Sequence, residues 1–173
     1  MFDRRKLLAL AASAAATPAL ADASDPTETV PLWPGRPPNA PQVLPRTQMV
    51  DRVATSGFQD RIVTDIGDPL MTVFRPRTPN GAAALLIPGG GYIRVVIDKE
   101  GFEVARRLAE AGVTAFVLRY RLPREGWTSR DVALQDAQRA VRLIRARAGD
   151  YGVDPARVLA MGFSAGGHVA ASL

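Results

Sequence analysis

The sequence contains no cysteine, a single histidine (His168) and only two lysines, Lys6 and Lys99. Without cysteine, disulfides and thiolate-held metals are excluded. One histidine excludes a multi-histidine metal centre, so no metal and no cofactor is expected. Charge-free stretches are also short. Leu7–Ala21 is 15 residues long, whereas a membrane-crossing helix needs roughly 20, so no membrane span is expected. The positive charge is almost all arginine. The net charge of +5 comes from basic residues interleaved with acids along the whole chain. A nucleic-acid footprint gathers on one face or helix, so these residues read as solvated surface and no nucleic-acid partner is expected. Hydrophobic residues at 47% and charged residues at 23% fit one globular domain of moderate size.

The first 21 residues read as an address. Arg4, Arg5 and Lys6 give a positive start, Leu7–Ala16 is apolar, and Ala19-Leu20-Ala21 offers small residues two apart. That is the layout of a secretory signal peptide. Arg4-Arg5 followed by Lys6-Leu7-Leu8 resembles a twin-arginine signal, with Asp3 and Leu7 departing from it, so general secretion remains an alternative. The mature chain is expected to start at Asp22 and to be exported, either periplasmic or secreted. Residues 22–60 hold seven prolines by Pro45. Proline lacks the donor that helices and sheet ladders need, so this segment reads as an extended arm, with Leu32-Trp33-Pro34 able to tack it to the domain.

From Arg61 the punctuation becomes regular. Ile62–Thr64 and Leu70–Phe74 are β-rich runs around Gly67-Asp68-Pro69, which suggests a hairpin. Ala82–Ile87, Val113–Leu118 and Val158–Met161 are continuous apolar runs, as in strands buried on both faces. Between them, Glu100–Ala111 and Ser129–Ala148 have helical period. Thr128 or Ser129 is the expected N-cap of the second helix, and Gly112 and Gly149 are the expected stops. Alternation of strand and helix predicts an α/β fold with a mostly parallel sheet and an antiparallel start.

Two segments carry chemistry. Gly162-Phe163-Ser164-Ala165-Gly166 matches G-x-S-x-G between a predicted strand and a predicted helix. That context marks a tight turn that thrusts the serine hydroxyl outward and aims the next backbone N–H at a developing oxyanion. Pro88-Gly89-Gly90-Gly91-Tyr92 follows the Ala82–Ile87 run. Its glycines leave N–H groups bare for close approach to a ligand oxygen, but it lacks the spacing of a phosphate loop.

With Asp98-Lys99-Glu100-Gly101, Tyr120-Arg121-Leu122-Pro123, Asp136–Ala140, Leu32–Gly35 and Gly162–His168, these segments resemble an α/β-hydrolase of the esterase/lipase kind. They are similar above all to carbohydrate esterases of the acetylxylan esterase sort. The resemblance spans about Pro31 to Leu173. It implies Ser164 as nucleophile, an oxyanion hole from the N–H groups of Gly90, Gly91 and Ala165, and hydrolysis through an acyl-enzyme. The implied substrates are acetylated sugars, oligosaccharide esters or other short-acyl esters.

In that superfamily the order is serine, acid, histidine. Only nine residues follow Ser164, none acidic, and His168 lies one helical turn beyond the serine, so His168 is expected to be structural. Tyr92, Asp136, Arg139, Trp33 and Trp127 are expected to pack rather than react. The chain is therefore expected to be the N-terminal part of a longer hydrolase, residues 61–173, or the product of a truncated gene. Its triad acid and base would be missing, and Val158–Met161 would form an apolar edge strand. Two other readings share these features: a binding module without turnover, and a serine peptidase of the prolyl-oligopeptidase sort.

Overall fold

The computed structural model describes residues 25–52 and 59–173. The expected export signal and the Asp22 start lie outside the described residues. Eleven main elements follow in order: β1 (Thr29–Pro31), β2 (Gln48–Asp51), β3 (Arg61–Thr64), β4 (Leu70–Phe74), β5 (Gly81–Ile87), β6 (Val95–Val96), α1 (Glu103–Glu110), β7 (Thr114–Arg119), α2 (Val132–Ala146), β8 (Val153–Gly162) and α3 (Ala165–Ala171). A π-helical turn, Asp98–Phe102, leads into α1, and a 3₁₀ turn, Ala148–Tyr151, follows α2.

The main sheet has the order β1-β4-β7-β5-β8. β7, β5 and β8 run parallel, while β4 opposes both β1 and β7. Four strands thus point one way and only β4 points back. Strands β5 and β7 occupy the middle, and Leu85, Leu86, Ile87, Phe116, Val117 and Leu118 are fully buried. This explains their unbroken apolar sequence, because helices cover both faces of such strands. The α1 crossover moves one place from β5 to β7, and the α2 crossover returns past β5 to β8. Right-handed connections of opposite direction put α1 and α2 on opposite faces. In α2 the buried stripe is Ala133, Ala137, Ala140 and Ile144, the period read from the sequence.

Four details differ from expectation. The antiparallel start exists, but β3 does not pair with β4. Both edges of β4 are taken by β1 and β7, so β3 pairs instead with β2 and β6 in a second, antiparallel sheet. Helix α2 begins at Val132 behind Asp131, and neither Thr128 nor Ser129 caps it. The Ser129 hydroxyl accepts instead from the Asp131 N–H. The left-handed stop after α2 is Gly152 (φ 63°) rather than Gly149, because the 3₁₀ turn extends the helical path. Gly112 (φ 84°) does end α1 as expected, donating to the Ala109 carbonyl. Strand β8 is longer than the apolar run that predicted it and lies at the sheet edge, with Leu159 55% exposed.

The proline-rich segment is bound to the domain. β1 lies on β4, and Leu32 is buried. The Trp33 indole donates to Asp136 Oδ1 at 2.9 Å. Asp136 also receives the Arg121 guanidinium in a fork and the Arg121 backbone N–H at 2.9 Å. Neither side chain of this pair is exposed. Burial pushes the Asp136 carboxyl above the usual carboxylate range, and its bonds to Arg121 and Trp33 pull it back. A buried ion pair needs such complete satisfaction to offset its desolvation. Arg139 adds a bond to the Leu32 carbonyl. Trp33 and Trp127 both stack near the Arg121 guanidinium. No helix among the described residues is long and apolar enough to cross a membrane.

Candidate active site

Strands β5 and β8 end side by side, with Ile87 opposite Gly162. The crossover direction reverses here, and ligands of open α/β sheets bind at such a switch point, beyond the carboxyl ends of the strands. Both segments singled out in the sequence emerge at this place.

After Gly162 the chain turns sharply. The Phe163 N–H donates to the Ile87 carbonyl at 3.1 Å, and the Gly166 N–H donates to the Phe163 carbonyl at 2.7 Å. Ser164 sits between them at φ 48°, ψ −119°. A non-glycine residue held there stores on the order of 1–3 kcal/mol of strain. The flanking glycines are obligatory. A Cβ on Gly162 would overlap the Gly166 carbonyl, and one on Gly166 would overlap the Ile87 carbonyl. Ser164 is exposed at the head of α3.

The loop after β5 lies against this turn. A Cβ added to Gly89 would meet the Phe163 carbonyl at 2.5 Å and the Ser164 Cβ at 2.9 Å. Gly90, Gly91 and Tyr92 all have positive φ, at 132°, 67° and 59°. The near end of the loop is pinned twice: Tyr120 donates its hydroxyl to the Pro88 carbonyl at 2.8 Å, and the Gly89 N–H donates to Glu100 Oε2 at 2.6 Å. Burial pushes the Tyr120 phenol well above its ordinary range, so it stays a donor. Among the described residues, the N–H groups of Gly90, Gly91 and Ala165 donate no hydrogen bond.

His168 lies on α3, its N–H bonded to the Ser164 carbonyl at 3.1 Å. Its ring Nδ1 is 2.8 Å from the Tyr92 hydroxyl. Among the described residues, no side chain hydrogen-bonds to the Ser164 hydroxyl, and no cluster of three or more His, Cys, Asp or Glu residues could hold a metal. Asp136 and Arg139 belong to the arm anchor described above. A groove of about 610 Å³ lies between Phe74, Arg77, Arg106 and Glu110. Phe74 pairs with the start of β7, so this groove is at the opposite end of the sheet from Ser164.

Sequence reasoning missed Glu100 and Tyr120. Both stood in segments that carried the resemblance, but neither has a local pattern that announces a partner 11 or 32 residues away.

The parallel core, the strand–serine–helix turn and the glycine loop at the switch point define an α/β-hydrolase fold. A family model, BD-FAE, matches residues 71–173, and the chain belongs to that family. An acetylxylan esterase of Xylanibacter ruminicola is 36% identical over 107 residues, covering 62% of this chain and 22% of the relative. Endo-1,4-beta-xylanase B of Butyrivibrio fibrisolvens is 41% identical over 90 residues, covering 51% and 14%. The chain thus spans less than a quarter of the length of these relatives. Among solved structures, an acetyl ester-xyloside bifunctional hydrolase from Caldicellulosiruptor lactoaceticus superposes with a TM-score of 0.57 at 26% identity. That match covers 84% of this chain and 46% of the other.

Proposed function

We propose that this chain carries the nucleophile and oxyanion hole of a serine-dependent carboxylic ester hydrolase acting on acetylated sugars or other short-acyl esters. The observation that carries the reading is Ser164 itself: exposed, in a left-handed turn between two obligatory glycines, with Gly89 packed on its Cβ. Such strain persists only where the surroundings over-determine it, and it gathers at functional sites. The acetylxylan esterase relative supports the choice of substrate class.

In this reading the Ser164 Oγ attacks the ester carbonyl carbon and gives its proton to a base. The carbonyl oxygen becomes an oxyanion, held by the N–H groups of Gly90, Gly91 and Ala165. The C–O bond to the alcohol then breaks, and the alcohol leaves with the proton. Water, deprotonated in turn, cleaves the acyl-serine and releases the acid. In this reading His168 is not that base, because a tyrosine proton donated to its Nδ1 leaves Nε2 protonated. The reading divides the chain into an export signal (1–21), an arm (22–60) and the hydrolase part (61–173), with a periplasmic or secreted location.

The test is labelling of the full-length protein by a fluorophosphonate, with the Ser164→Ala variant beside it, and hydrolysis of p-nitrophenyl acetate. Labelling confined to Ser164, and activity lost in the variant, is expected. An intact, unlabelled wild-type protein would overturn the assignment.

A further inference from the structure

Tyr92 holds a left-handed backbone position, φ 59°, directly after two glycines that do the same. Glycine is the low-strain residue for such a turn. A bulky ring there is unfavourable for the backbone, so its side chain must compensate. The ring is half-buried against the core. Its hydroxyl lies 2.8 Å from His168 Nδ1, and the two rings meet edge to face with centroids 6.2 Å apart. Tyrosine donating to Nδ1 leaves the imidazole proton on Nε2.

This contact joins two segments that the rest of the site leaves separate at that end. Glu100 and Tyr120 hold the near end of the loop, at Gly89 and Pro88. Gly90 and Gly91 come next and have the most conformational freedom of any residue type. Tyr92 is the first side chain beyond them, and it is tied to α3, one turn past Ala165.

We propose that Tyr92 and His168 form a clasp that fixes the Gly90 and Gly91 N–H groups relative to the Ala165 N–H. This rests on the reading of Ser164 as nucleophile. Both are positioning residues and neither touches the reacting atoms. Oxyanion stabilisation depends on donors already placed where charge develops, within about 0.5 Å of the productive geometry. The Gly90 carbonyl accepts from the Ile93 N–H at 3.3 Å and the Gly89 carbonyl from the Val96 N–H at 3.0 Å; these bonds close the loop on itself and do not reach α3. The clasp holds the far end, and it couples the loop to the very helix that supplies the third donor.

The test uses the full-length protein with Tyr92→Phe, His168→Phe, the double variant and His168→Gln, which retains an acceptor for the tyrosine hydroxyl. Each single Phe variant should lower kcat roughly tenfold, with KM within about twofold, because a donor placed for the transition state acts on kcat. The double variant should lose no more than either single one, since both break the same link. His168→Gln should recover most of the rate, which a merely structural loss would not allow. Unchanged kcat in both Phe variants, multiplying losses, or a rise in KM alone would overturn the clasp. Fluorophosphonate labelling of the wild type separates the two ideas. Labelling at Ser164 with unaffected Phe variants removes the clasp and leaves the nucleophile. An intact wild type that does not label removes both.

Discussion

Gly89 lies so close to Ser164 that a methyl group on Gly89 would stand 2.9 Å from the serine Cβ and 2.5 Å from the Phe163 carbonyl. Neither neighbour can move freely: one is a strained turn and the other is backbone. Gly89→Ala is therefore expected to push the loop off the elbow. Hydrolysis of p-nitrophenyl acetate should fall by on the order of 10²-fold, the scale of losing one oxyanion donor. Gly35 has nothing within 4 Å, and Gly35→Ala should leave the rate unchanged. Equal rates for the two variants would show that the close approach does not matter.

Glu100 reaches the Gly89 N–H from the π-helical turn before α1. Glu100→Ala frees that amide and removes the nearer pin of the loop. Glu100→Gln keeps a carbonyl acceptor in the same place. The first variant is expected to lose roughly tenfold in kcat, the scale of about 1.4 kcal/mol, and the second to lose much less. Steady-state kinetics on both decide the matter. Equal losses would mean that the charge, not the bond, is what the loop needs.

The Arg121–Asp136 pair ties the arm, through Trp33, to the core. Removing one partner strands the other in a site with no exposure. Arg121→Met or Asp136→Asn should each cost about 3–5 kcal/mol of stability. The double variant should cost less than the sum, because it leaves no buried charge. Urea unfolding of the four proteins measures this.

Hydrogen bonds from Arg52 and Lys99 hold the Asp60 carboxyl below the usual aspartate value. A carboxyl with a lower folded pKa contributes stability that is complete above the unfolded value, about 3.9. That stability is lost as pH falls through the folded value. Asp60→Asn should therefore melt below the wild type at pH 6, with the gap closing under about pH 4. Melting temperatures across that range provide the check, and a gap independent of pH would contradict it.

The local features of this molecule were legible in its sequence. The elbow is set by residues two apart, Gly162, Ser164 and Gly166, where steric overlap of adjacent backbone permits only glycine. The buried faces of α2 and of the central strands follow from period, which reports burial and nothing about partners. For that reason the runs Ile62–Thr64 and Leu70–Phe74 suggest a hairpin by sequence, whereas in the fold both edges of β4 are taken by β1 and β7. The apolar run Val158–Met161 did mark β8 and its place at the sheet edge, but not its length: the strand starts at Val153, and the exposed polar residues of that extension carry no apolar signal.

By itself, then, the sequence determined the element types, the α/β class, the strained serine turn and the glycine loop, since each depends on neighbours within a few residues. Only the tertiary structure decided that β5 lies beside β8, so that loop and elbow meet. It also decided that Glu100 holds Gly89, that Tyr92 reaches His168, and that Asp136 gathers Arg121 and Trp33. Those partners are 11 to 103 residues apart. Their bonds are specified by the geometry that brings them together, and single side chains of common type carry no local mark of it.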